Sequence, residues 1–81
     1  MKIYWYEGKK NIIGNNVRKL RIKEKLTQKG LSERLQLAGY EFDRLTIGRI
    51  ESGSRFVADY EVKALTEVLN AKFEELFRND Q

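Results

Sequence analysis

The chain has no cysteine, no histidine and no proline among its 81 residues. Without cysteine it can form neither a disulfide framework nor a thiolate zinc site. Without histidine it lacks the imidazole of hydrolytic triads and the usual general base near neutral pH. Long apolar runs are missing too. The longest, Ile3-Tyr4-Trp5-Tyr6, falls far short of the ~20 residues that span a bilayer, and there is no apolar region for a signal peptide. These absences predict a cytoplasmic protein with no membrane partner, no metal and no cofactor. The length fits one domain at most. So small a core is worth about 3–5 kcal/mol net without staples, so the chain must fold by close helix packing, by dimerising, or both.

Charge is plentiful and unevenly placed. The net charge is +4, but residues 1–30 carry +7, residues 31–55 are neutral and residues 56–81 carry −3. A basic first third and an acidic last third suit a partner that is polyanionic on one side, most obviously nucleic acid. Catalysis has no comparable support. There is no glycine-rich phosphate loop and no nucleophile-elbow pattern. The acid pairs, Glu74-Glu75 and Asp59 with Glu61, do not face one another on a helix. They are explained by the favourable field at a helix N-terminus. The protein is read as a binding protein and not an enzyme.

The first ten residues read as a separate arm, aromatic and β-prone, broken at Gly8: a short strand or an ordered arm. From Asn11 the apolar period becomes helical. Helix 1 is predicted at about 12–25, capped by Asn11, with Ile13, Val17, Leu20 and Glu24 along one stripe. Thr27 caps helix 2, about 28–38, whose apolar stripe is Leu31, Leu35 and Ala38 and whose terminator is Gly39. Asp43 caps helix 3, about 44–52, with Ile47 and Ile50 inward and Gly53 at its end. Helix 4, about 59–69, turns Val62, Leu65 and Leu69 inward; Ala58 stands where a Ser or Thr cap is expected, leaving Asp59 to take over. Phe73, Leu76 and Phe77 give a short apolar helix 5 at about 73–78. The fold class is therefore all-α, a compact five-helix domain over residues 11–78 preceded by the arm of residues 1–10.

Helices 2 and 3 have the make-up of a helix-turn-helix pair, the first bracing on the phosphate backbone and the second entering the major groove. The small Ser32 lets the two pack closely. Four stretches carry a wider resemblance: Ile13-Gly14-x-x-Val17-Arg18-x-Leu20-Arg21; Leu26-Thr27-Gln28-x-x-Leu31-Ser32; Thr46-Ile47-x-Arg49-Ile50-Glu51-x-Gly53-x-Arg55; and Leu65…Leu69-x-x-x-Phe73-x-x-Leu76-Phe77. In this order they resemble the lambda-repressor-like helix-turn-helix domain of the XRE/Cro-type transcriptional regulators, over about four fifths of the chain.

The resemblance implies a double-stranded-DNA-binding regulator, a small bacterial or phage repressor acting as a homodimer on paired half-sites. It implies base readout by helix 3 through Arg44, Leu45, Thr46, Gly48 and Arg49. Arginine can bond guanine bidentately, and Leu45 or Thr46 can meet a thymine methyl, although Leu45 equally suits the core. It implies phosphate contact by Thr27, Gln28 and Lys29 at the start of helix 2, and by Ser54 and Arg55 after helix 3. It also implies an ion pair between Arg21 and Glu51, structural and not DNA-reading. Ile3, Tyr4, Trp5 and Tyr6 are expected either to pack on the domain's own helices or to form a dimer contact. One departure stands out: Leu35 and Ile47 are about five residues further apart than the family pattern, with Leu37-Ala38-Gly39-Tyr40-Glu41 as the extra piece. Either helix 2 gains a turn or the linker bulges, with Tyr40 and Phe42 pinning it to the core. The competing reading is an antitoxin or adaptor that binds a protein through the acidic helices or the aromatic arm.

Overall fold

A computed structural model describes residues 8–78. Five helices follow one another: α1 (Gly14–Lys23), α2 (Gln28–Leu37), α3 (Arg44–Ser52), α4 (Asp59–Val68) and α5 (Phe73–Phe77). No strand lies among the described residues. Helix α1 packs on α3 and α5, α2 on α3 and α4, and α4 on α5. One core results, built from Ile13 and Val17, Leu31 and Leu35, Ile47 and Ile50, Val62, Leu65 and Leu69, with Phe42 and Leu76 closing its edges.

The helix starts follow from local chemistry. Thr27 Oγ1 accepts the Gly30 N–H at 2.9 Å and Asp43 Oδ1 accepts the Thr46 N–H at 2.7 Å, so each cap satisfies a first-turn donor that has no partner inside its helix. Asn11 Oδ1 accepts from Gly14 at 2.9 Å. Helix α4 departs from expectation. Asp59 does not cap it; Glu61 reaches back and accepts the Ala58 N–H at 2.9 Å. Alanine has no oxygen to offer, and the third helical residue is the one whose side chain can turn back over the helix start. Helix α5 repeats the device with Glu75 on the Lys72 N–H at 2.8 Å.

The core also differs in places. Ala38 is exposed as the C-cap of α2. Phe73 and Phe77 face outward, leaving only Leu76 of α5 fully buried. The α1 terminus is shorter than its pattern, because Lys25 turns left-handed at φ 58° and releases Leu26 toward α2. The long linker is the bulge and not an extra turn: α2 stops at Leu37 and six residues lead to α3. Three bonds hold that linker. Tyr40 N–H reaches the Leu35 carbonyl at 2.9 Å, Gln36 Nε2 donates to the Phe42 carbonyl at 2.9 Å, and Tyr40 Oη donates to Glu67 Oε2 at 2.6 Å. Phe42 itself is buried.

Candidate nucleic-acid interface

The orientation of α3 is set at its C-terminal end and along its inner face. At its C-terminal end Gly53 adopts φ 81°, a left-handed backbone that favours glycine, and its carbonyl accepts the Lys10 N–H at 2.8 Å. Asn11 clamps the same end: its Nδ2 donates to the carbonyls of Ile50 at 3.1 Å and Arg55 at 2.8 Å. Gly14 makes this approach feasible. A Cβ there would stand 2.3 Å from the Ile50 carbonyl oxygen and 2.9 Å from that of Glu51.

On the inner face, Arg21 meets Glu51 through two bonds, Nε to Oε2 at 2.6 Å and Nη2 to Oε1 at 3.1 Å. The pair lies deep, with side chains 12% and 5% exposed. Arg21 Nη1 also donates to the Leu26 carbonyl at 2.7 Å, and Gln28 Nε2 donates to Glu51 Oε1 at 3.2 Å. One buried carboxylate therefore ties α1, the turn before α2, and α2 itself to α3. A charge pair this well bonded offsets its own desolvation, while loss of one member strands the other.

The outer face of α3 carries Arg44, Leu45 and Arg49, all exposed, with Thr46 and Gly48 half-buried. Among the described residues neither guanidinium closes an ion pair. Gln28, Arg44, Leu45, Gly48 and Arg49 line a shallow, open depression. Gly48 faces Gln28, whose Oε1 would lie 3.5 Å from an added Cβ. A wider polar groove beside it runs between α2 and α3, lined by Thr27, Lys29, Ser32, Gln36, Asp43 and Arg44. Thr27 and Lys29 are exposed at the positive end of α2, where the first N–H groups point outward.

The residues after α3 behave differently from one another. Ser54 is exposed, with its hydroxyl 3.0 Å from that of Ser52. Arg55 is held bidentately by Glu61, at 2.8 and 2.9 Å, and also donates to the Phe56 carbonyl at 2.9 Å. The Arg55 hydrogen bonds hold the Glu61 carboxyl below its ordinary range, and Glu61 holds the Arg55 guanidinium above its own. The Thr46 backbone N–H lowers the Asp43 carboxyl. The Glu67 carboxylate raises the Tyr40 hydroxyl by accepting its hydrogen bond. Ile3, Tyr4, Trp5 and Tyr6 lie outside the described residues. No cluster of carboxylates placed to hold a metal exists among the described residues, and none of their helices is long and apolar enough to cross a membrane.

Sequence reasoning missed the clamp by Asn11, the close approach at Gly14 and the Arg55–Glu61 pair. Asn11 carried a visible cap signal but none for its amide, whose acceptors lie 39 and 44 residues away. The spacing of Arg55 and Glu61 gave a findable hint, since opposite charges flank the expected start of α4.

No family model and no curated protein matches the sequence. Among solved structures, the restriction-modification controller protein C.AhdI from Aeromonas hydrophila superposes with a TM-score of 0.69 at 31% identity, over 80% of this chain and 87% of that one. The chain belongs to the XRE-type, lambda-repressor-like helix-turn-helix family. In XRE-type terms α2 and α3 are the helix-turn-helix, joined here by a six-residue linker. The usual helix-turn-helix joint is about three or four residues.

Proposed function

We propose that the protein is a sequence-specific, double-stranded-DNA-binding transcriptional regulator, a small repressor of bacterial or phage origin. The observation that carries this reading is the outer face of α3, where Arg44, Leu45 and Arg49 stand exposed beside the positive end of α2. Affinity comes mainly from counterion release by lysine and arginine on phosphates, with Thr27, Gln28, Lys29, Ser54 and the remaining N–H groups of Arg55 as contacts. Selectivity comes from Arg44, Leu45, Thr46, Gly48 and Arg49 on base edges. The likeness to C.AhdI supports regulated genes that belong to a restriction-modification system.

A homodimer on an inverted repeat completes this reading. Ile12, Phe56, Phe73 and Phe77 are exposed and line an apolar groove with Val57 and Val62. Lys9, Lys10 and Asp59 also line it. An apolar patch with both signs of charge among its lining can meet a second copy of itself across a two-fold axis, the commonest arrangement of homodimers. Sedimentation separates this face from the aromatic arm. Phe73→Glu is expected to halve the mass, whereas a chain lacking residues 1–8 keeps it; the reverse pattern moves the contact to Ile3–Tyr6.

Salt tests the DNA reading. Binding to random duplex should weaken with a log–log slope of about −0.9 per neutralised phosphate, and selection from a random duplex pool should return an inverted repeat. The exposed phenylalanines beside acidic α5 favour an antitoxin or adaptor as the second reading. Salt-insensitive or absent binding to duplex selects it.

A further inference from the structure

The apolar groove lined by Ile12, Phe56, Val57, Val62, Phe73 and Phe77 has a candidate occupant in the same chain. Its volume is about 440 Å³, inside the ~300–1,000 Å³ of pockets that hold small organic molecules, so an aromatic side chain fits. Lys9 lays its stem against Gly53, and the Lys10 N–H holds the Gly53 carbonyl at 2.8 Å. Both lysines also line the groove. The point from which the first seven residues start is thus fixed at its rim. Gly8, at φ 78°, supplies the left-handed backbone of a tight turn, so the segment before it can double back over the residues after it. Trp5 stands four residues ahead of Lys9, a reach of at most about 14 Å. That segment, Ile3-Tyr4-Trp5-Tyr6, is also the longest apolar run of the chain. In extended backbone alternate side chains share a face, which puts Ile3 with Trp5. A buried indole N–H needs an acceptor, and the Asp59 carboxylate in the groove lining offers one.

We infer that residues 3–6 seat in the groove of their own chain, Ile3 and Trp5 inward, and that this seat must empty before a second copy can use the same face. A short tether holds the segment at an effective concentration in the millimolar range, so a monomer closes on itself first. Both copies must be open to pair, so an open fraction of about one tenth weakens dimerisation about a hundredfold. The segment thereby sets a threshold concentration for the dimer. The seat stands on the groove and the sequence; the competition rests on the dimer reading above and adds its regulation.

Trp5 is the single tryptophan of the chain, so its fluorescence reports the segment directly. Acrylamide quenching of the full-length protein is measured from below to above its dimerisation range, with sedimentation giving the mass at each concentration. In the monomer Trp5 should be shielded relative to a peptide of residues 1–8, and it should open to the quencher as the dimer forms. Phe77→Ser removes part of the seat and should expose Trp5 in the monomer. Phe56→Ser, in a different part of the chain, makes the same comparison if Phe77→Ser melts early. Trp5→Ser should tighten dimerisation about tenfold to a hundredfold. A monomer whose Trp5 is as open as in the peptide overturns the seat, and so does shielding that survives both phenylalanine variants. A shielded Trp5 with a dimer no tighter in Trp5→Ser overturns the competition. If wild type and Trp5→Ser stay monomeric at every concentration, the dimer reading falls and takes the competition with it, while quenching still decides the seat.

Discussion

Glu51 joins α3 to both α1 and α2 through one side chain. It accepts from Arg21 twice and from Gln28 once, in near-complete burial. Glu51→Ala leaves the Arg21 guanidinium without its carboxylate and is expected to cost about 3–5 kcal/mol, enough to unfold a domain of this size; urea denaturation reads the loss directly. Gly14→Ala should fail for a different reason. Its methyl group meets the fixed carbonyls of Ile50 and Glu51, and overpacking against backbone costs about 1–3 kcal/mol. Gly48→Ala should move the other way. Its Cβ meets Gln28 only at ordinary contact distance, so the gain in helix propensity, about 0.8–1 kcal/mol at most, raises the melting temperature. DNA affinity should fall in the same variant, because the methyl group takes up space in the depression lined by Gln28, Arg44 and Arg49. A Gly48→Ala protein that is more stable and binds DNA as tightly as the wild type would take Gly48 out of the proposed contact surface.

At the level of elements, three helices begin on a carboxylate. Asp43 serves α3, Glu61 serves α4 and Glu75 serves α5. All three are held below their ordinary values, Asp43 and Glu75 chiefly by backbone N–H groups and Glu61 chiefly by Arg55. A carboxyl whose folded pKa lies below its unfolded value, about 4, contributes stability above that value. The contribution is lost as pH falls through the folded pKa. The urea midpoint should therefore decline as pH drops from 5 to 3, and Asp43→Asn with Glu61→Gln and Glu75→Gln should flatten the decline. Much of the element level was legible beforehand, because caps are local chemistry. Thr27 and Asp43 announce α2 and α3 within a few residues of where they act. Ala58 announces nothing, and the Glu61 that replaces it acts from inside its helix. The outward turn of Phe73 and Phe77 was hidden as well. Their spacing suits a buried stripe, but in a helix of five residues only Leu76 turns into the core.

For the molecule as a whole, the sequence carried the all-α class and the helix-turn-helix pair through periodicity and resemblance. The docking of α3 depended on contacts between distant residues and had to be seen. The linker is the clearest case: its five additional residues are plain in the chain, yet only the structure shows Tyr40 bonded to Glu67 and Phe42 sunk in the core. The charge distribution acts at this same scale. The bias of basic residues toward the first third and acidic residues toward the last predicts an association rate that falls steeply with ionic strength. Stopped-flow mixing with duplex at several salt concentrations checks it; a flat profile would mean that the dipole does not steer the encounter.

Asn16 sits buried in α1, and its amide donates to the carbonyls of Leu76 and Arg78, both at 2.8 Å. The opening helix is thus latched by residues synthesised some sixty positions later. A ribosome that stalls or meets a stop codon before Leu76 would release a polypeptide unable to fasten itself. Chains truncated before Leu76 are therefore expected to open more readily at α1 and to be cut faster by a protease than the full chain.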